Sequence, residues 1–194
     1  HQIKKFSYGF NPLKTPYQAT PPTQPLDQLW KSLYYNVSYL RLPESIASRL
    51  PNKTLPYPKQ SDPGYYAANL VVFHQLHCLN SIRIALDKEY YLAQSLVDDW
   101  KFHPKRGPYG TEHISHCVNV LREAIMCAAD TSVVTFQWNE GIKSAQPRSD
   151  VLHVCRDFEG IWDWAWENRG VVPFDPRVRP VDEDENDTTQ RSDQ

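Results

Sequence analysis

Apolar positions recur at helical spacing in three stretches of the chain and nowhere else over comparable length. Phe73, Leu76, Leu79, Ile82, Ile84 and Leu86 mark the first. Asp62-Pro63 ahead of them supplies an N-cap and a first helical position, and the helix is expected to end between Tyr90 and Val97. A second helix is expected from a cap at Thr111 through His113 to about Ala129, after a loop carrying Pro104, Gly107, Pro108 and Gly110. A third falls within residues 150–168, where Val154, Phe158, Ile161, Trp162 and Ala165 repeat. Shorter helices fit Asp27–Tyr35, capped by Asp27, and Leu42–Leu50, whereas Thr131–Trp138 is β-branched and aromatic and reads as a short strand or extended connector. Residues 1–27 run through Pro12, Pro16, Pro21, Pro22 and Pro25 without periodicity, which predicts an extended arm. The tail from Val181, rich in Asp and Glu, is too polar to pack and is expected to be disordered. The fold expectation is therefore mainly α: a Pro-rich arm with short helices over 1–60, a small helical domain over 61–180, and an acidic tail over 181–194.

Composition narrows the function. The chain has 194 residues, 21 Lys plus Arg against 23 Asp plus Glu, and a net charge of −2, so no polyanion is the expected partner and nucleic-acid binding is disfavoured. No run approaches the roughly 18 apolar residues that a spanning helix needs. With 7 Gly and 16 Pro, the chain lacks both the G-x-G-x-x-G and the G-x-x-x-x-G-K-[ST] phosphate loops. Asn36, Asn52 and Asn186 each open an N-x-[ST] glycosylation acceptor. The four cysteines, Cys78, Cys117, Cys127 and Cys155, are an even number, as disulfides in an oxidising lumen require. Together these favour the secretory pathway, or secretion, with a leader or single-pass membrane anchor lying before the present start.

The chemistry sits in an internal repeat. His74-Gln-Leu-His77-Cys78-Leu-Asn80-Ser-Ile-Arg83 and His113-Ile-Ser-His116-Cys117-Val-Asn119-Val-Leu-Arg122 both read H-x-x-H-C-x-N-x-x-R. Positions i, i+3 and i+4 of a helix share a face, so His74, His77 and Cys78 point one way, as do His113, His116 and Cys117. Two such helices packed about a pseudo-two-fold axis would gather four imidazoles in an apolar wall, where a metal ion satisfies them better than four separate hydrogen-bond partners. His153, expected on the third helix, is a candidate fifth ligand.

Imidazole suits copper, zinc, iron and nickel; neither turn offers a carboxylate on the His face, which weakens a two-His-one-carboxylate iron site. An all-nitrogen site favours copper, while free thiolates at Cys78 and Cys117 would favour zinc. A pairing of Cys78 with Cys117 across the repeat axis and of Cys127 with Cys155 is the expected disulfide framework. Asp130 either caps the following segment or orients a ligand imidazole; Glu112 favours its helix N-terminus; His103, in a Phe-His-Pro loop, reads as a solvated surface residue. Arg83 and Arg122 are expected to pair with acids or helix ends. Trp162, Trp164 and Trp166 alternate, so one or two should line a groove or the arm contact.

Phe73-His-Gln-Leu-His-Cys-Leu79, His113-Ile-Ser-His-Cys117 with Leu121-Arg122, Met126-Cys127-Ala-Ala-Asp130, and His153-Val-Cys-Arg-Asp-Phe158 with Ile161-Trp162 resemble, in order, the UstYa-like family of fungal mycotoxin-biosynthesis oxidases. The resemblance implies oxidative tailoring of a peptide-derived natural product, first of all cyclisation by cross-linking side chains of a ribosomally made peptide, with hydroxylation or halogenation as alternatives. It implies His74, His77, His113 and His116 as the functional histidines, followed by His153, and a membrane anchor preceding the domain. It also allows a homologous partner subunit in a homo- or heterodimer. The expected activity is a copper-dependent oxidation with dioxygen as oxidant and a peptide as substrate. A non-catalytic luminal interaction protein and a zinc-stabilised fold stand as the alternatives.

Overall fold

The computed structural model describes residues 1–7, 9, 14–57, 62–133, 135–148, 150–171 and 175. Two expectations fall outside them: the disorder of the acidic tail and the acceptor Asn186. The described chain is mostly helical, with α1 (Gln24–Ser32), α2 (Glu44–Ala47), α3 (Val71–Leu86), α4 (Lys88–Ala93), α5 (Thr111–Ala128) and α6 (Phe158–Glu167). Three two-stranded antiparallel sheets join β1 (Gln2–Lys5) to β6 (Leu152–Cys155), β2 (Leu40–Pro43) to β3 (Tyr65–Ala68), and β4 (Thr135–Asn139) to β5 (Ser144–Arg148). Among the described residues no helix is long and apolar enough to cross a membrane.

The chain divides into two compact units, residues 1–35 with 70–164 and residues 36–69 with 165–194. In the first unit, α3 and α5 make the most extensive contact between any two elements. Beside them Ile84, Tyr91 and Phe102 form a buried cluster against which Leu92, Leu96, Val97 and Tyr109 pack. In the second unit β2 and β3 pair in the register Leu42↔Tyr66. There Arg41 Nη1 donates to the buried Asp62 carboxylate at 2.9 Å, and Val171 N–H donates to its other oxygen at 3.0 Å.

Several local expectations are corrected. Asp62-Pro63 does not open α3; the intervening Tyr65–Ala68 pairs as a strand, as aromatic residues favour, and Leu70 precedes the first helical turn. Arg41 and Val171 have already taken the Asp62 carboxylate. α3 stops at Leu86 and the helix resumes as α4 after Asp87. α1 begins three residues before Asp27, with Thr23 Oγ1 accepting from Leu26 N–H at 3.3 Å and Pro25 in the first turn, where a missing N–H does no harm. Thr111 is the first helical residue of α5 rather than its cap; Gly110 holds the cap position.

The arm is not extended throughout. Gln2–Lys5 pairs with β6, Ile3 opposite Val154, and Pro16–Gln18 forms a 3-10 turn. That pairing also places His153 on a strand rather than on the expected third helix, which begins only at Phe158. Asp157 opens that helix, its carboxylate accepting from Gly160 N–H at 3.2 Å. The expected strand after α5 is present as β4.

Candidate metal centre

Helical spacing places the histidines, and packing of α3 on α5 turns their faces together. His74 and His77, one turn apart on α3, have ring centroids 6.2 Å apart, and His113 and His116 repeat that spacing of 6.2 Å on α5. Across the helices His74 faces His116 and His77 faces His113, both at 5.8 Å. A step of three forward on α3 thus meets a step of three backward on α5. This is an antiparallel register, and it closes the four imidazoles into one ring.

The floor of the ring is sulfur. Cys78 and Cys117, one from each repeat, are fully buried, and their side chains hydrogen bond to each other. Cys117 Sγ lies 3.8 Å from His113 Nδ1. Burial raises both thiols, Cys117 to about 12 with a further push from Cys78, so both are protonated near neutral pH. Neither expected disulfide is formed: all four cysteines are free thiols, Cys127 exposed on the last turn of α5 and Cys155 half-buried on β6.

His74 and His77 are prepared as neutral donors. Burial lowers His74 and His77 below the usual imidazole range, and neighbouring imidazoles lower them further, His116 and His113 acting on His74 and His113 and His74 acting on His77. His113 Nδ1–H donates to the Pro108 carbonyl at 2.6 Å, which fixes the ring and leaves Nε2 for a ligand. Just before α5, Gly110 packs against the His103 carbonyl, with which a Cβ would collide.

Donor atoms of His74, Cys78 and His116 all lie within 4.8 Å of one another. Two donors on one ion at about 2.0–2.3 Å stand roughly 3.3–4.5 Å apart, so this triad needs little movement to close on a metal. Its nitrogen and sulfur atoms suit copper or zinc rather than a hard cation. His74 and His116 are the exposed pair, so the ring opens to solvent on their side, while His77 and His113 lie deeper.

His153 is held elsewhere. Its Nδ1–H donates to Asp130 Oδ2 at 2.6 Å, and its ring packs on Phe6 with centroids 5.1 Å apart. Asp130 follows the last residue of α5, and the twelve residues from His116 to Ala128 span about 18 Å of helix. The Asp130–His153 pair therefore stands at the opposite end of α5 from His116. Asp130 caps the following segment, its other oxygen accepting from Ser132 N–H at 2.9 Å, and the imidazole it holds is His153, away from the ring; Ser132 first and His153 second hold its carboxyl down at about 2.

The remaining candidates are structural. His103 is exposed, its Nδ1 accepting from Lys105 N–H. Arg83 pairs with Asp27, and Arg122 with Glu123. Trp164 lines an open cleft of about 520 Å³ with Leu70, Arg156, Asp157 and Ile161. Asn36 and Asn52 are exposed. Sequence reasoning missed Tyr34, which packs edge-on against His77, and the Pro108 carbonyl. No spacing rule marks either, because each reaches the ring from a different element.

A ring of four imidazoles over two thiols, supplied by a duplicated helix motif, defines a histidine-rich helix pair with a candidate metal site at His74, Cys78 and His116. Residues 1–168 match the family model described as mycotoxin biosynthesis protein UstYa, and the chain belongs to that family. It is 36% identical over 127 residues to UstYa family oxidase aprY of Aspergillus flavus, covering 60% of this chain and 37% of that protein. It is 33% identical over 159 residues to UstYa family oxidase phomYc of Diaporthe leptostromiformis, covering 79% of this chain and 59% of that protein. Oxidase ustYb of Aspergillus flavus is 31% identical over 139 residues, 61% of this chain and 49% of that protein. The chain thus spans between about a third and three fifths of the length of these relatives. No solved structure matches it.

Proposed function

We propose that this chain is the metal-binding domain of a copper-dependent oxidase that tailors a peptide-derived fungal natural product, cross-linking side chains of a ribosomally made peptide. The observation that carries the reading is the ring of four imidazoles contributed in equal halves by the repeat. The family membership and the relatives named oxidases support the reaction class. Copper held by His74, His77, His113 and His116 would supply one-electron oxidation, with dioxygen as the terminal electron acceptor.

The protein's own part follows from the site. Neutral His74 and His77 present lone pairs without first having to lose a proton, and Pro108 holds His113 in the tautomer that offers Nε2. The apolar floor at Cys78 and Cys117 keeps water from the inner side, while the exposed edge at His74 and His116 admits a substrate side chain and orients it against the ring. Each cross-link removes two hydrogens from the peptide. Hydroxylation or halogenation would use the same edge. The exposed acceptors Asn36 and Asn52 support a place in the secretory lumen.

One observation favours a second reading. Cys78 belongs to the triad whose donor atoms lie within 4.8 Å of one another, and a His-Cys-His set with a free thiol suits zinc, which would make the ion structural. Elemental analysis and electron paramagnetic resonance of the purified protein decide between them. Copper at the histidines, with peptide products lacking two hydrogens and lost in His74→Ala and His113→Ala, is the expected result. Zinc alone, with unfolding on chelation, would overturn the oxidase reading.

A further inference from the structure

Tyr34 joins the ring of histidines to a buried polar chain. Its ring stands edge-on to His77, centroids 5.7 Å apart at 75°, and its phenolic oxygen accepts from Asn80 Nδ2 at 3.0 Å. Asn80 Oδ1 accepts in turn from Arg83 Nε at 2.9 Å. Beyond it, Arg83 Nη2 donates to Asp27 Oδ1 at 2.5 Å, and Tyr91 O–H donates to the same oxygen at 2.6 Å. Tyr34 is 6% exposed and Asn80 3%, so the link next to the imidazole is buried, while Arg83 and Asp27 beyond it are partly exposed.

Asn80 and Arg83 are the N and R of the repeated motif, and their mates offer an internal comparison. Arg122 Nε donates to Asn119 Oδ1 at 3.0 Å, so the local bond is the same. The Arg122 side chain, however, is 54% exposed against 14% for Arg83, and its carboxylate partner is the neighbouring Glu123. Among the described residues the rings packed on His113 and His116 are only those of the other histidines. His113 is fixed by Pro108 instead. The repeat is therefore symmetric in the residues that face the centre and asymmetric in what stands behind them.

We infer that Tyr34 is the positioning residue for His77, set in place through Asn80 and Arg83, and that the Asn and Arg of the motif serve the site in the first copy alone. The wall restricts the imidazole to the orientation that faces His113 before any ligand arrives, so less rotamer freedom is lost on ligation. This inference rests on the metal-site reading, and its test is built to separate the two.

The test uses the 194-residue chain, Cu(II) and the variants Tyr34→Ala, Tyr34→Phe, Asn80→Ser and Asn119→Ser. Tyr34→Ala is expected to weaken Cu(II) binding, measured by chelator competition, by about tenfold, in the range typical for residues that orient a ligand. It should also alter the copper hyperfine pattern. Tyr34→Phe, which keeps the ring edge but loses the bond to Asn80, should restore part of both. Asn80→Ser should shift the His77 ring resonance in the metal-free protein, and Asn119→Ser should shift neither it nor the affinity. Wild-type chain that binds no copper would refute the metal-site reading, while the His77 resonance still reports on Tyr34. Unchanged affinity and His77 resonance in Tyr34→Ala, or equal effects of the two Asn variants, overturns the inference. Should Tyr34→Ala fail to fold, the Asn80→Ser and Asn119→Ser pair answers the same question.

Discussion

His74 and His116 meet across the helix pair with ring centroids 5.8 Å apart and planes at 85°. Both lie on the exposed edge of the ring and both contribute to the donor triad with Cys78. An ion bound there would be reached from solvent past these two rings. Removing either is expected to weaken Cu(II) by more than about a hundredfold, beyond the range found for residues that only orient a ligand. Copper titration of His74→Ala and His116→Ala checks this, and near wild-type affinity in both would exclude the exposed edge from the site.

His153 should behave differently. Bonded to Asp130 beyond the last turn of α5, it is not expected to change copper stoichiometry when replaced by alanine. Elemental analysis of His153→Ala reads this directly. Loss of one equivalent of copper would return His153 to the ligand set.

The pH dependence of the metal-free protein follows from the lowered His74 and His77. In the unfolded chain these groups take protons near 6.5; in the folded chain they take them only at lower pH. Between the two, the unfolded state holds more protons, so stability falls as pH drops below about 6.5 and levels off beneath the folded values. Thermal melts between pH 7.5 and pH 4.5 should show this fall, and His77→Gln should flatten it. A melting temperature independent of pH over that range would contradict the desolvation and mutual crowding of these rings.

The two motif arginines should differ in stability terms. Arg83→Ala leaves the half-buried Asp27 without its guanidinium and is expected to cost about 3 kcal/mol. Arg122→Ala removes a solvent-exposed pair and should cost less than about 0.5 kcal/mol. Urea unfolding of the two variants measures both, and equal losses would mean that the second copy is covered as the first is.

Thiol reactivity should follow position. Under native conditions a small aromatic disulfide reagent is expected to modify Cys127 first, Cys155 more slowly, and Cys78 and Cys117 only on unfolding, since both are fully buried with raised thiols. Rapid labelling of four thiols in the native protein would show that the floor of the ring is open.

The repeat was legible in the sequence because helical periodicity is a local property: three- and four-residue spacing fixes which side chains share a face, whatever the helix later packs against. His74, His77 and Cys78, and their mates on α5, needed nothing more to be recognised; the same logic located most of α5, and β-branched and aromatic content pointed to the strand that follows it. The start of α3 and the element under His153 were misread for the opposite reason. Asp62-Pro63 carries a good cap signal and residues 150–157 carry apolar positions at helical spacing. Strand pairing with Leu40–Pro43 and with Gln2–Lys5, more than twenty and a hundred residues away, decided both.

By itself, then, the sequence determined the donor set: four imidazoles and two thiols in two equal helical faces. Only the tertiary structure decided the antiparallel register that closes them into one ring, the removal of His153 to the far end of α5, and the unequal backing of the two copies. Those depend on which distant segments come to lie against α3 and α5. Tyr34 and Asp27 cover the first copy's Asn and Arg and leave the second copy's in solvent, a difference that the five residues shared by the two motifs cannot encode.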